Sequence, residues 1–270
     1  MADKSEKFRW AVRAGYFSRA ILYSVLGLIA LTSVGEISKG TDGIFNAVQN
    51  FPAGTFILWV MVVGLLAYAL FRLASTFFDI ENHGSDTVGW GKRIGHAGSA
   101  IGHLVLAWTA YIFATGGSNA GSGSGAQDAA SGVLSMNLGG VVLGVLGIAF
   151  FLAAINQAKK AFTGSFMARI SASAPSQTRL MGGIGYAARA VVFGIIGWSL
   201  FNAGFLSGDA EQVKTLGDAV ASLAGQGIVF NLVAVGLLVF GLFSLILARH
   251  RIIPDMGSEG RVPEYRASHA

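Results

Sequence analysis

Six long apolar runs decide what this chain can become. They lie at about Phe17–Val34, Phe56–Phe78, Ala97–Thr115, Leu138–Ala158, Ile184–Leu206 and Ile228–Ala248. A helix needs roughly 20 mainly apolar residues to cross the hydrocarbon core of a bilayer. Only 12% of the 270 residues are charged, about half of what a soluble domain carries. No soluble core of this size could cover six such runs. The expected fold is an all-α integral membrane protein with six transmembrane helices.

The basic residues orient it. Lys4, Lys7, Arg9, Arg13 and Arg19 surround the start of the first span; Arg72, Lys92 and Arg93 fall in the second-to-third connection. Lys159, Lys160, Arg169, Arg179 and Arg189 fall in the fourth-to-fifth, and Arg249, Arg251, Arg261 and Arg266 in the tail. That places 17 on one side, against only Lys39 and Lys214 on the other. Short cytoplasmic loops collect Lys and Arg, so both termini are expected in the cytoplasm of a bacterium, with the protein in its inner membrane. The opposite loops carry Glu36, Asp42, Asp128, Asp209, Glu211 and Asp218. The first span has the basic lead of a signal peptide. It lacks a small-x-small cleavage site and belongs to a repeat, so we expect it to be retained.

The repeat is internal and ungapped. RAGYFSRAILYSVLGL from Arg13, RIGHAGSAIGHLVLAW from Arg93 and GIGYAARAVVFGIIGW from Gly183 align directly. Gly15, Gly95 and Gly185 coincide, as do Ala20, Ala100 and Ala190. A ring follows each glycine, at Tyr16, His96 and Tyr186; Arg19, Ser99 and Arg189 share the next polar position, and Tyr23, His103 and Phe193 the one after. The second helices align on Gly64-x3-Tyr68-x2-Phe71, Gly236-x3-Phe240-x2-Phe243 and, in part, Gly147-x3-Phe151. Between the two helices of each unit, stretches such as DGIFNAVQ and DAVASLAG read as short surface helices capped by Asp. All units run the same way, and parallel repeats are related by an axis along the membrane normal. The expectation is a pseudo-threefold arrangement of three tandem units, 13–80, 93–165 and 183–250. A cytoplasmic segment, 1–12, and a cytoplasmic tail, 251–270, flank them.

This pattern resembles the bacterial domain of unknown function 1206 family, through the R-x-G-Y-x-x-R-A motif and the Gly-led second helix. The resemblance covers roughly Arg13 to Arg249 and implies three copies of a two-helix membrane unit, with no established activity. The middle copy departs from it at His96 and Ser99.

The chemistry-bearing residues are few. There is no cysteine, hence no thiolate metal site or cysteine nucleophile. Arg19 and Arg189 sit four residues past a helix-leading glycine. They read either as interfacial anchors whose long stems snorkel or as an anion site near a helix N-terminus. With Tyr16, Tyr186, His96, Ser99 and His103 they form the candidate polar site. His96 and His103 lie two turns apart on one face; interhelical hydrogen bonding explains them better than haem or metal ligation, since His83 and His250 are elsewhere. Trp10, Tyr16, Trp90, Tyr186 and Trp198 read as interfacial aromatic belts. Gly15, Gly95, Gly185, Gly64, Gly147 and Gly236, with Gly98-x3-Gly102 and Gly140-x3-Gly144, allow close helix crossing. Gly183-x-Gly185-x-x-Ala188 lacks the preceding strand of a dinucleotide site. The glycine-rich run from Gly116 lacks the Lys of a phosphate loop and reads as a flexible outer linker.

These features point to a non-catalytic membrane protein that binds membrane lipids or assembles with other membrane proteins or itself. A small channel or transporter for an anionic solute comes second, and haem or quinone binding third. No cofactor, metal or nucleic-acid partner is expected.

Overall fold

A computed structural model describes residues 4–32, 40–79, 84–118 and 122–253. Val34, Glu36, Lys39, His83, Arg261 and Arg266 lie outside them. Among the described residues the chain forms helices and no strand, with one isolated antiparallel bridge between Ile170 and Arg251. Six helices among the described residues are long and apolar enough to cross a membrane. They are α1 (Lys4–Thr32), α3 (Gly54–Phe78), α4 (Thr87–Ala114), α6 (Gly139–Thr163), α7 (Thr178–Phe201) and α9 (Ile228–His250). Among the described residues a short α-helix lies between the two long helices of each unit: α2 (Gly40–Gln49), α5 (Ser122–Leu134) and α8 (Leu216–Ala221).

Several helices start well before their apolar runs. α4 begins at Thr87, ten residues ahead of Ala97, because amphipathic basic turns stay helical while their charged tips reach past the apolar zone. Asp86 caps it by accepting from the Gly89 N–H at 2.9 Å. Arg93 then satisfies the open carbonyls at the end of α3, donating to Thr76 O at 2.7 Å and Phe77 O at 3.1 Å.

The helices form a ring, open between α4 and α6, whose between-unit contacts have threefold order. The second helix of each unit packs on the first helix of the next: α3 on α4, α6 on α7, and α9 back on α1. Small residues permit these seams. A methyl at Gly27 would come within 2.5 Å of the Leu238 nitrogen, and one at Gly147 within 2.5 Å of the Phe201 nitrogen. Gly140 faces the Gly204 backbone and Gly144 the Phe205 ring, so backbones approach closely, as small-residue pairs allow in membranes.

Within the units the symmetry is unequal. In the first, a Cβ at Gly15 would lie 2.7 Å from the Tyr68 ring, and Gly64 faces Ser18. In the third, Gly185 meets Phe240 at 2.7 Å, and Gly236 meets the Ala188 Cβ at 2.5 Å. In the middle unit α4 and α6 share no such seam: Gly95, Gly98 and Gly102 face open space. The glycine pairs at 98/102 and 140/144 therefore differ, and Gly95 is not a helix-packing glycine.

One end of the ring is capped. α2, α5 and α8 are short helices as the sequence suggested, each with one face turned inward. Ile44, Phe45, Val48, Ala130, Ala219 and Val220 are buried. The cap is tied by Thr41 donating to Thr215 Oγ1 at 3.2 Å and Gln127 donating to Val213 O at 2.8 Å. Gln49 donates to Phe113 O at 2.7 Å. The Asp capping is also different in α8: Thr215 is the N-cap, and Asp218 completes a reciprocal capping box. The glycine-rich stretch read as a flexible linker is helical from Ser122 onward, because burying its apolar face against the cap outweighs glycine's poor helix propensity.

Candidate functional site

Three arginines converge inside the ring, toward the end opposite the cap. Tyr68 organises them. It and Arg72 are one turn apart on α3, so they share a face. Arg72 donates through Nε to the Tyr68 hydroxyl at 3.0 Å, and Arg19 of α1 donates to the same oxygen at 3.4 Å. Arg19 also donates through Nε to Ser244 of α9 at 3.2 Å. Its guanidinium lies 4.7 Å from the Tyr16 ring centre and 5.0 Å from that of Phe240. Arg189 of α7 stacks on Phe240 as well, at 4.6 Å, and on Phe193 and Tyr23 at 4.7 and 5.3 Å. Two guanidiniums thus share one phenyl ring. Cation–π contacts of this kind contribute on the order of 1–2 kcal/mol each when desolvated.

Arg19 is 6% exposed. The snorkelling reading fails for it: the side chain turns into the ring, where aromatic faces hold it. Residue 19 lies seven positions past Val12, where its span begins, about 10 Å along a helix rising 1.5 Å per residue. No Asp or Glu occurs in any of the six spans. Among the described residues, Nη2 of Arg19 and Nε of Arg189 are buried without a hydrogen-bond partner. Buried cations without compensation are expensive, and ionisable groups at membrane depth mark ligand or ion sites.

The histidines complete one wall. Arg72 donates to His96 Nδ1 at 2.8 Å, so that ring nitrogen is an acceptor. His103 donates from Nδ1 to the Ser99 carbonyl at 2.6 Å, and its ring lies 4.5 Å from that of Tyr68. Both histidines are thus engaged in hydrogen bonds, and no group of three or more His, Cys, Asp or Glu able to hold a metal occurs among the described residues.

The candidate residues separate. Arg19, Arg189, Tyr16, His96 and His103 come together. Ser99 contributes its carbonyl through His103. Tyr186 instead packs among Phe166, Phe240 and Phe243, with the Lys160 ammonium 5.6 Å from its ring. Trp10, Trp90 and Trp198 are exposed, as an interfacial belt requires, whereas Tyr16 and Tyr186 are buried. Buried tyrosines here serve as faces for cations and rings rather than as interface anchors.

Sequence reasoning missed Arg72, counting it as a loop charge, together with Tyr68, Phe240 and Ser244. A signal existed. Arg72 is the lone charge within its own apolar span, four residues past Tyr68; Ser244 stands at the same distance from Phe240. The repeat register places these two polar residues in equivalent positions; Ser244 accepts directly from Arg19, and Arg72 shares the Tyr68 hydroxyl with it.

The chain belongs to the family described as Domain of Unknown Function (DUF1206), whose model matches it three times, over residues 14–79, 94–164 and 184–251. The three matches bear out the tandem repeat. The chain is also 28% identical over 244 residues to the uncharacterized protein YxxB of Bacillus subtilis (strain 168), covering 87% of this chain and 88% of that relative. No solved structure matches it.

Proposed function

We propose that this is a non-catalytic inner-membrane protein that binds an anionic lipid headgroup on Arg19 and Arg189, with both termini cytoplasmic. One observation carries the reading. Two guanidiniums stack on the Phe240 ring, each with a buried nitrogen lacking a hydrogen-bond partner. A phosphate supplies several acceptors and a compensating charge, and arginine matches its geometry in bidentate fashion. The bias of 17 Lys and Arg toward the end holding the cluster supports a cytoplasmic-leaflet headgroup. The cluster offers cations and aromatic faces, which hold an anion rather than transform it. No cofactor is proposed. The transporter reading needs the α2, α5 and α8 cap to open, which its buried apolar residues oppose.

The test is native mass spectrometry of protein exchanged into mixed phosphatidylglycerol and phosphatidylcholine. The wild type should retain phosphatidylglycerol selectively. Arg19→Gln with Arg189→Gln should lose about tenfold of that preference, the equivalent of about 1.4 kcal/mol. Equal retention of both lipids by the wild type, or no change in the double variant, would refute the site.

A further inference from the structure

The unequal middle unit bears on how a headgroup reaches the cluster. The first and third units are zipped by Gly15 against Tyr68 and by Gly185 against Phe240. The corresponding middle pair is Gly95 and Phe151, yet nothing lies within 4 Å of a Cβ at Gly95, Gly98 or Gly102. α6 has turned away: Gly147 packs on Phe201 and Gly197 of α7, while α4 packs on α3. The gap this leaves runs between two long apolar helices, whose exposed side chains include Ile101, Val105, Val145 and Ile148.

Both walls of that gap lead to the arginines. On the α4 side, the His103 ring packs at a tilt against Tyr68, whose hydroxyl accepts from Arg19. On the α6 side, Phe150 packs on Phe193, which carries Arg189. An occupant of the gap therefore has acyl-chain surroundings outside and a cationic end inside. Among the described residues the capped end shows no equivalent entrance: Phe45 and Phe113 stack there in full burial.

We propose that the opening between α4 and α6 is a lateral portal. Through it an anionic phospholipid enters from the bilayer, its headgroup on Arg19 and Arg189 and an acyl chain lying in the gap along Gly95, Gly98 and Gly102. This rests on the headgroup reading above and adds the route and the amphiphilic nature of the ligand. Free phosphate shares the headgroup chemistry but has no use for an apolar slot.

Plugging the slot tests it. Gly95→Trp and Gly98→Trp add rings where open space exists, without touching the arginines. Retention of phosphatidylglycerol should fall several-fold in native mass spectra, while thermal stabilisation by inorganic phosphate stays at the wild-type level. Gly102→Phe, a smaller plug, should act in the same direction and decides the matter if a Trp variant does not give monodisperse protein. Plugged variants that keep the lipid, while Arg19→Gln with Arg189→Gln loses it, would overturn the portal and leave the headgroup site standing. Lipid retention unchanged in every variant would overturn both. Loss of phosphate stabilisation along with the lipid would also overturn the portal, because the plugs would then be acting on the cluster itself.

Discussion

The first and third repeats bring their two helices together, and the middle repeat, built from the same pattern, holds them apart. In the outer copies a glycine on the first helix receives an aromatic ring from the second, Tyr68 on Gly15 and Phe240 on Gly185. Those rings then serve as the acceptor and the platform for guanidiniums. In the middle copy the ring at Phe151 packs toward Phe201 of α7 instead, and the arginine position is Ser99. One unit thus gave up both its seam and its cation. The lesson is that a repeat can be kept for its between-unit contacts, which all three copies make, while its within-unit contact is free to change.

The sharpest way to break this comparison is to place the same bulk at equivalent glycines. Gly185→Leu must push Phe240, whose Cα would lie 2.8 Å from the new Cβ. Overpacking of this kind costs about 1–3 kcal/mol, and the variant should melt well below the wild type in a detergent thermal-shift assay. Gly95→Leu should melt with the wild type. Equal losses at both positions would show that the middle seam is closed.

Tyr68→Phe comes next. It removes the oxygen that accepts from Arg19 and Arg72, while their bonds to Ser244 and His96 remain. The expected loss is about 1–3 kcal/mol, visible in the same assay. Phe151→Tyr, the reverse change in the middle copy, should gain nothing, because no arginine stands opposite it.

His103→Phe, which writes the third copy's Phe193 into the middle one, should have the smallest effect. The ring contact with Tyr68 persists, and only the local bond to the Ser99 carbonyl is lost, about 1 kcal/mol or less. A large fall, or the loss of an absorbing chromophore from the purified protein, would instead favour the haem or quinone reading.

Much of this was legible in the sequence, for physical reasons. Six apolar runs must be buried somewhere, and a bilayer is the solvent that accepts them. Ungapped alignment at Gly15, Gly95 and Gly185 revealed the three units. Arg72 was hidden because a charge six residues from a span's end looks like a loop charge by counting, whereas its direction depends on the face it shares with Tyr68. The open middle seam was hidden because Gly98-x3-Gly102 permits close approach without requiring it. His96 and Ser99, where the outer copies have Tyr and Arg, were the trace of that difference. The short helices after Asp42 and before Gly227 could be read from their pattern; that they plug one end follows only from the ring that they cover.

The most direct test of the account is a series of equivalent cysteine pairs, for which the cysteine-free chain is a clean background. Gly15→Cys with Tyr68→Cys, Gly95→Cys with Phe151→Cys, and Gly185→Cys with Phe240→Cys would be oxidised in the native membrane and scored by gel mobility after cleavage of the intervening loop. A disulfide needs Cβ atoms about 3.5–4.5 Å apart. The first and third pairs, close across their seams, should cross-link, and the middle pair should not. Efficient cross-linking of all three would mean that the middle repeat closes like its neighbours, which contradicts the open seam and the lipid route drawn from it.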